Sequence, residues 1–93
     1  RDRDVIHVGR REGTFRAIKL RAIGNDIEML DLKVIYGNGE VDDIPVRRLM
    51  KAGTETPPLD LRGRDRLIQS VQMVYRARPN YRGQATMQIY GLH

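Results

Sequence analysis

The sequence consists of short stretches in which apolar and polar residues alternate, and turn-forming residues separate these stretches about every ten positions. β-Branched and aromatic residues are common in the stretches, and no apolar pattern with the helical period continues beyond one turn. This spacing predicts an all-β fold. The expected architecture is a two-layer antiparallel β-sandwich of the jelly-roll or Greek-key type with about seven to eight short strands, and a small barrel is the alternative.

Seven stretches are predicted to form strands: 5–8, 14–23, 27–36, 40–48, 59–61, 67–77 and 82–92. The stretch 27–36 carries apolar residues on both faces and is therefore expected in the middle of a sheet. Pro45 has no N–H for a ladder, which places the stretch 40–48 at an edge or gives it a bulge. The pair Asn38-Gly39 predicts a type I′ hairpin turn, and the three-residue step from Ile68 to Val71 predicts a β-bulge.

The alternation within each stretch predicts which side chains share a face. Phe15 and Ala17 fall on the charged face of the stretch 14–23. Leu30 is assigned to the same face as Leu32, and Val41 is expected to be an apolar contact of the stretch 40–48. The last stretch is expected to alternate regularly, with Ala85, Met87 and Ile89 inward and Thr86, Gln88 and Tyr90 outward.

The composition indicates a single domain over residues 1–93 with one thin core. The chain has no cysteine, which excludes disulfides and thiolate zinc sites. The chain has seventeen basic residues, 14 of them arginine, and twelve acidic residues, which gives a net charge of +5. The positive electrostatic field of such a chain favours an anionic polymer or an acidic protein surface as partner. No apolar stretch approaches the ~18 residues of a transmembrane segment.

Few residues offer catalytic chemistry. Ser70 is the one serine and lies within a predicted strand rather than on a strained turn, and the histidines His7 and His93 lie near the two ends. The acids Asp42 and Asp43 follow a hairpin turn and are expected to be solvated rather than to bind calcium or to act as an acid–base pair. The sequence therefore predicts a non-enzymatic protein with no catalytic residue, no metal and no cofactor.

Two groups of arginines flank the stretch 67–77, and their functional interpretation is contact with an anion. One group surrounds Gly63 and the other surrounds Pro79, where Tyr81 could stack on a ligand. The two ends of such a strand lie about 33 Å apart, so the groups do not form one compact site. The alternative is ordinary surface arginines paired with acids. The candidate binding residues are Arg62, Arg64, Arg66, Arg76, Arg78, Tyr81, Arg82 and Tyr90.

The region from Ile18 to Leu92 resembles a family of small secreted bacterial β-sandwich proteins of unknown function. The resemblance rests on the segments 18–20, 26–36 and 37–39, on Ile44-Pro45, on the segment 59–63, and on the pattern that runs from 68 through 71 to 75. It implies a β-sandwich in the periplasm or outside the cell, and it supplies no catalytic residue. It also implies a leading strand that is missing before Arg1.

The first functional hypothesis is a non-enzymatic secreted or envelope-associated protein that acts as a binding or structural module. The alternatives are a small nucleic-acid-binding β-domain and a glycan-binding module. Nucleic acid is disfavoured as a partner because aromatic residues are only 5% of the chain, the acids are interspersed, and no RNA- or DNA-binding motif is present.

Overall fold

The computed structural model describes residues 2–46, 48–77 and 85–93. It contains strands and one short 3-10 helix, Arg10–Glu12, and the described residues include no helix long and apolar enough to cross a membrane. The strands are β1 (Asp2–His7), β2 (Thr14–Phe15), β3 (Ala17–Ile23), β4 (Ile27–Tyr36), β5 (Val41–Asp43), β6 (Leu49–Met50), β7 (Leu59–Asp60), β8 (Arg66–Ala77) and β9 (Thr86–Leu92).

The strands form two antiparallel sheets that pack face to face, which confirms the predicted β-sandwich. The large sheet has the order β1-β8-β4-β5, with β2 also paired to β8 and β6 also paired to β4. The small sheet has the order β7-β3-β9. Strand β4 lies in the middle of the large sheet and β5 at its edge, as the apolar pattern and Pro45 predicted.

The described residues form more strands than were predicted, because the stretch 14–23 is divided into β2 and β3 and because β6 lies beyond the end of the stretch 40–48. The chain crosses from the large sheet to the small sheet at Arg16, so that β2 pairs with β8 while β3 pairs with β7 and β9. Within the stretch 40–48 the described residues form a strand only over Val41–Asp43, which ends shortly before Pro45, a residue that cannot donate to a ladder. Individual backbone hydrogen bonds still join the residues after β5 to β4. The N–H of Ile44, for example, donates to the carbonyl of Leu32 at 2.9 Å.

The crossover at Arg16 also changes which side chains are buried. Phe15 and Ala17 were expected on a charged face, but their side chains are 7% and 0% exposed. The prediction was wrong because it assumed one continuous strand, whereas the two residues belong to different sheets and both face the space between them. The alternation of β9 is confirmed: Met87 is buried, and Thr86 and Tyr90 are exposed.

Two irregularities in the pairing of β4 with β8 set the core faces. Between the pairs Met29–Tyr75 and Asp31–Val74, Leu30 has no partner of its own. This bulge brings Met29 to the same buried face as Leu32 and leaves Leu30 half-buried, so the predicted face of Leu30 was wrong.

The second irregularity confirms the bulge predicted between Ile68 and Val71. Ile35 pairs with Ser70 and Tyr36 pairs with Ile68, which leaves Gln69 as the extra residue. Ile68 and Val71 are consequently both buried, at 2% and 0% exposed.

The hairpin between β4 and β5 is present, but its turn is not the predicted type I′. The N–H of Gly39 donates to the carbonyl of Tyr36 at 2.9 Å, and Gly39 alone in this turn has a positive φ, of 90°. A type I′ turn requires a positive φ at Asn38 as well. The longer loop moves the register by one residue, so Asp42 is buried and Val41 is 51% exposed, the reverse of the predicted faces.

Candidate functional site

A buried hydrogen-bond network joins the β4–β5 hairpin to the loop before β8. The phenol of Tyr36 donates to Oδ2 of Asp42 at 2.7 Å, and both groups lie at the edge of the core. The backbone N–H of Arg62 donates to the Tyr36 oxygen at 3.1 Å and to Oδ2 of Asp42 at 3.3 Å. Burial, followed by the hydrogen bond to Asp42, raises the pKa of Tyr36 to about 12.

The side chain of Arg66 fixes the same loop from its other end. Its guanidinium carbon lies 3.9 Å from the centre of the Tyr36 ring, and Nη1 donates to the carbonyl of Arg62 at 2.8 Å. Nη2 forms an ion pair with Glu40 at 2.5 Å. Hydrogen bonds from Asn38, and then from Arg66, lower the pKa of Glu40. Arg66 is therefore engaged in holding the segment 61–66 against the hairpin.

The loop between these fixed points has an unusual backbone. Gly63, Arg64 and Asp65 follow one another with positive φ values of 84°, 59° and 41°. Arg64 and Asp65 are the only described non-glycine residues with a positive φ. Side chains rarely adopt this region because Cβ approaches the following carbonyl oxygen, so the loop keeps a conformation that its own residues disfavour.

The members of the first predicted arginine group differ in what they contact, and Arg64 and Arg66 line different clefts. Arg62 pairs with Oδ1 of Asp42 at 3.5 Å, and Arg66 pairs with Glu40. Arg64 is exposed and forms no ion pair with a described residue.

The second group cannot be assembled from the described residues. Arg76 pairs with Glu28 at 2.7 Å, and Arg78, Tyr81 and Arg82 lie outside the described residues. Tyr90 is 38% exposed, as predicted, and its hydroxyl donates to Gln88.

Charge on the described surface is balanced. Four of the seventeen basic residues, Arg1, Arg47, Arg78 and Arg82, lie outside the described residues. The described residues therefore include thirteen basic and twelve acidic residues. Four of the five net positive charges therefore belong to arginines outside the described residues.

An apolar groove of about 410 Å³ lies between the two sheets. It is open on the side where β1 ends the large sheet and β9 ends the small sheet. Polar side chains, among them His7, Glu12 and Tyr90, contribute to its rim. The apolar lining includes Ile6, Val8, Phe15, Ile18, Val71 and Ile89.

Both strands that border the groove have an open edge within the described residues. Strand β1 is paired only with β8, and β9 is paired only with β3. Edge strands usually carry charges that prevent pairing with other chains, and β1 has Arg3 and Asp4. The seven residues of β9 include no charged side chain. Strand β9 is thus an unprotected edge beside an apolar groove.

The end of the groove near β2 is closed by close packing of an aromatic ring on backbone. Carbon atoms of the Phe15 ring occupy the position where a Cβ of Gly91 would lie, with Cε1 only 2.2 Å from it. The same ring stacks on the imidazole of His93 at 4.6 Å between centres, and Nδ1 of His93 lies 2.8 Å from the carbonyl oxygen of Thr14. Glycine at position 91 is required for this packing.

A smaller cleft, of about 300 Å³, lies where the crossover meets the strained loop; we name it the arginine cleft. Arg16, Asp60, Leu61 and Arg64 line it. The N–H of Leu61 donates to the carbonyl of Arg16 at 3.0 Å and so ties the loop to the crossover.

Sequence reasoning missed both the groove and the contribution of Arg16 and Asp60 to a cleft. The uncharged stretch from Thr86 to Leu92 was a visible signal for an unprotected edge, but nothing local indicated what lies beside it. Among the described residues, no group of three or more histidine or acidic side chains could hold a metal ion.

No curated protein and no solved structure gave a significant match to the chain. The family model described as "Domain of unknown function (DUF2541)" matches residues 1–91. The chain therefore belongs to the DUF2541 family.

Proposed function

We propose that this domain is a non-enzymatic binding module, secreted or associated with the bacterial envelope, that takes up an extended segment of a partner protein along β9. The observation that carries the proposal is the apolar groove between the open edges of β1 and β9. The location outside the cytoplasm is supported by the resemblance of the strand and turn segments to small secreted bacterial proteins.

Strand addition suits this groove because the two required kinds of contact lie side by side. The open edge of β9 offers backbone N–H and carbonyl groups, and the groove offers apolar contacts for every second side chain of an added strand. Ile89 and Ile6 are half-buried at the two borders of the groove, so an inserted apolar side chain would complete their burial. The partner segment is therefore expected to be extended, with apolar residues at alternate positions.

The non-enzymatic character is supported by where the few reactive side chains lie. Ser70 is in the middle of β8, opposite Ile35 and His7, rather than on an exposed turn that would present a nucleophile.

The test measures binding of a synthetic peptide of alternating valine and threonine with the length of β9, flanked by lysines. Strand addition predicts that the amide hydrogens of β9 become protected from exchange when the peptide binds. The matched control is the same peptide N-methylated at every residue, which leaves neither edge of the peptide with N–H donors for the ladder. Equal binding of both peptides would show adsorption to an apolar surface and would contradict the proposal.

A pair of variants on neighbouring positions of β1 locates the binding site. Ile6 lines the groove, whereas Val5 is 46% exposed and pairs with Gln72 on the outer face. Ile6→Glu is expected to weaken peptide binding at least about tenfold, since it places a charge against an apolar surface, and Val5→Glu is expected to leave binding unchanged. Ile6→Ser serves as the milder variant should Ile6→Glu destabilise the domain.

Two further outcomes would overturn parts of the proposal. If the protein sediments as a dimer that Ile6→Glu dissociates, the groove belongs to a second copy of the chain rather than to a partner. If fractionation of cells that express the full-length gene finds the product only in the cytoplasm, the proposed location is wrong.

A further inference from the structure

The arginine cleft brings together side chains that are far apart in the sequence. Arg16 lies at the crossover between β2 and β3, and Arg64 lies in the strained loop that follows β7. The hydrogen bond from Leu61 to the carbonyl of Arg16 joins these two segments. Asp60, the last residue of β7, lines the same cleft.

Unlike Arg62, Arg66 and Arg76, the two arginines of this cleft have no acidic partner among the described residues. Neither Arg16 nor Arg64 forms an ion pair with a described residue, and the same holds for Asp60. Nε of Arg16 donates to the carbonyl of His93 at 3.3 Å, which orients the side chain and leaves its terminal nitrogens available. The cleft thus presents two cationic donors beside one anionic acceptor.

The strained loop holds Arg64 in place at this cleft. Residues before and after Arg64 are fixed, because the N–H of Arg62 is bound to Tyr36 and Asp42 and the side chain of Arg66 returns to the carbonyl of Arg62. A left-handed conformation at an arginine persists only where the surroundings impose it, and such positions are concentrated at ligand-binding loops.

We propose that the arginine cleft binds an acidic sugar. The planar guanidinium fork matches a carboxylate, which Arg16 and Arg64 would share. The ionised carboxylate of Asp60 accepts hydrogen bonds, so a ligand that fills the cleft gains a further contact when it carries a donor, such as a sugar hydroxyl, close to its anionic group. Sulfate lacks that donor and a neutral sugar lacks the charge, whereas a sugar acid has both.

This proposal does not depend on the proposed function, because the arginine cleft and the apolar groove share no lining residue. Failure of peptide binding at the groove would leave the cleft untouched, and the reverse also holds.

The experiment titrates the purified domain with glucuronate, glucose and sulfate at low ionic strength, where exposed ion contacts are weakly screened. Glucuronate is expected to bind more tightly than sulfate, and glucose is expected not to bind. Equal binding of glucuronate and glucose, stronger binding of sulfate than of glucuronate, or no binding of glucuronate would overturn the proposal. Stronger binding per sugar unit to polygalacturonate than to galacturonate would assign the ligand to a polysaccharide, and equal binding would assign it to a free sugar acid.

Variants assign the roles within the cleft. Arg64→Gly removes the guanidinium while glycine suits the φ of 59°, so the loop remains folded, and it is expected to weaken glucuronate binding at least about tenfold. Arg16→Gln is expected to do the same. Arg76→Gln is the matched control, because Arg76 is bound to Glu28 on β4, and it should leave binding unchanged.

Asp60→Ala separates recognition of a sugar from attraction of an anion. Loss of the acceptor is expected to weaken glucuronate binding, while loss of the negative charge is expected to strengthen sulfate binding. If both ligands bind more tightly to Asp60→Ala, the cleft attracts anions without recognising a hydroxyl, and the acidic-sugar proposal is wrong.

Discussion

The packing of Phe15 on Gly91 predicts that a single methyl group will destabilise the domain. In Gly91→Ala, the new Cβ would lie 2.2, 2.4 and 3.1 Å from Cε1, Cδ1 and Cζ of the Phe15 ring. Carbon atoms in contact are normally about 3.5–4.0 Å apart, so the ring must move by more than about 1 Å. The ring is enclosed by the core and by His93, and its displacement disturbs both contacts.

The expected magnitude combines two opposing effects. Overpacking of a core costs about 1–3 kcal/mol, and replacing a glycine within a strand by alanine returns about 0.5–1 kcal/mol of conformational entropy. Because the overlap with Phe15 is severe, we expect Gly91→Ala to lower the free energy of unfolding by about 1–2 kcal/mol. With a urea dependence of about 1 kcal/mol per molar for a domain of this size, the unfolding midpoint would fall by about 1–2 M.

A double-mutant cycle tests the cause rather than only the size of the effect. Phe15→Ala is itself expected to cost roughly 3 kcal/mol. In that background the added methyl group meets no ring, so Gly91→Ala should be neutral or stabilise the domain by about 0.5–1 kcal/mol. Equal destabilisation by Gly91→Ala in both backgrounds would refute the account of the packing.

Three further changes test other features of the structure. Burial raises the pKa of Tyr36 to about 12, so the neutral phenol stabilises the folded state fully below pH 10. This stabilisation is lost as the pH rises to about 12. Tyr36→Phe should remove up to about 2.7 kcal/mol of this alkaline destabilisation, measured by urea unfolding at each pH. Thr56→Val should cost about 1–3 kcal/mol, because the buried N–H of Leu20 loses its acceptor, Oγ1 of Thr56 at 3.0 Å. The control Thr86→Val should change the stability by less than about 0.5 kcal/mol, because Thr86 is exposed and its hydroxyl bonds no described residue; similar losses in both variants would contradict the assignment. Asp65→Gly should raise the thermal midpoint, through a gain of about 0.5–1 kcal/mol, since glycine suits a φ of 41°, and a lower midpoint would show that the loop is not strained there.

Features that depend on one strand could be predicted from the sequence. The alternation of β9, the bulge at Gln69 and the edge position near Pro45 each follow from residues adjacent in the chain. The crossover at Arg16 could not be predicted, because Phe15 and Ala17 continue one alternating pattern although they pair with different sheets.

The buried position of Asp42 was also beyond local reasoning. Asn38-Gly39 favours a two-residue loop, and the actual loop differs by one residue, which exchanges the two faces of β5. The two candidate sites were less predictable still. The groove lies between strands of different sheets, and the arginine cleft joins Arg16 to Arg64, so each exists only once the long-range pairing is fixed.

The order of strands in the sheets has a consequence for the synthesis of the protein. Asp2 pairs with Tyr75 and Ala17 pairs with Leu92, so both sheets join the beginning of the chain to its end. Neither sheet can be completed until β8 and β9 have left the ribosome, although the β3–β7 and β4–β5 pairs involve only earlier residues. The pairing of such distant segments is also slow, with folding times of milliseconds to seconds for β-sandwiches. Strands β1, β2 and β4 therefore wait for β8, and β3 waits for β9, so the domain reaches its final pairing only after residues 66–92 have been made.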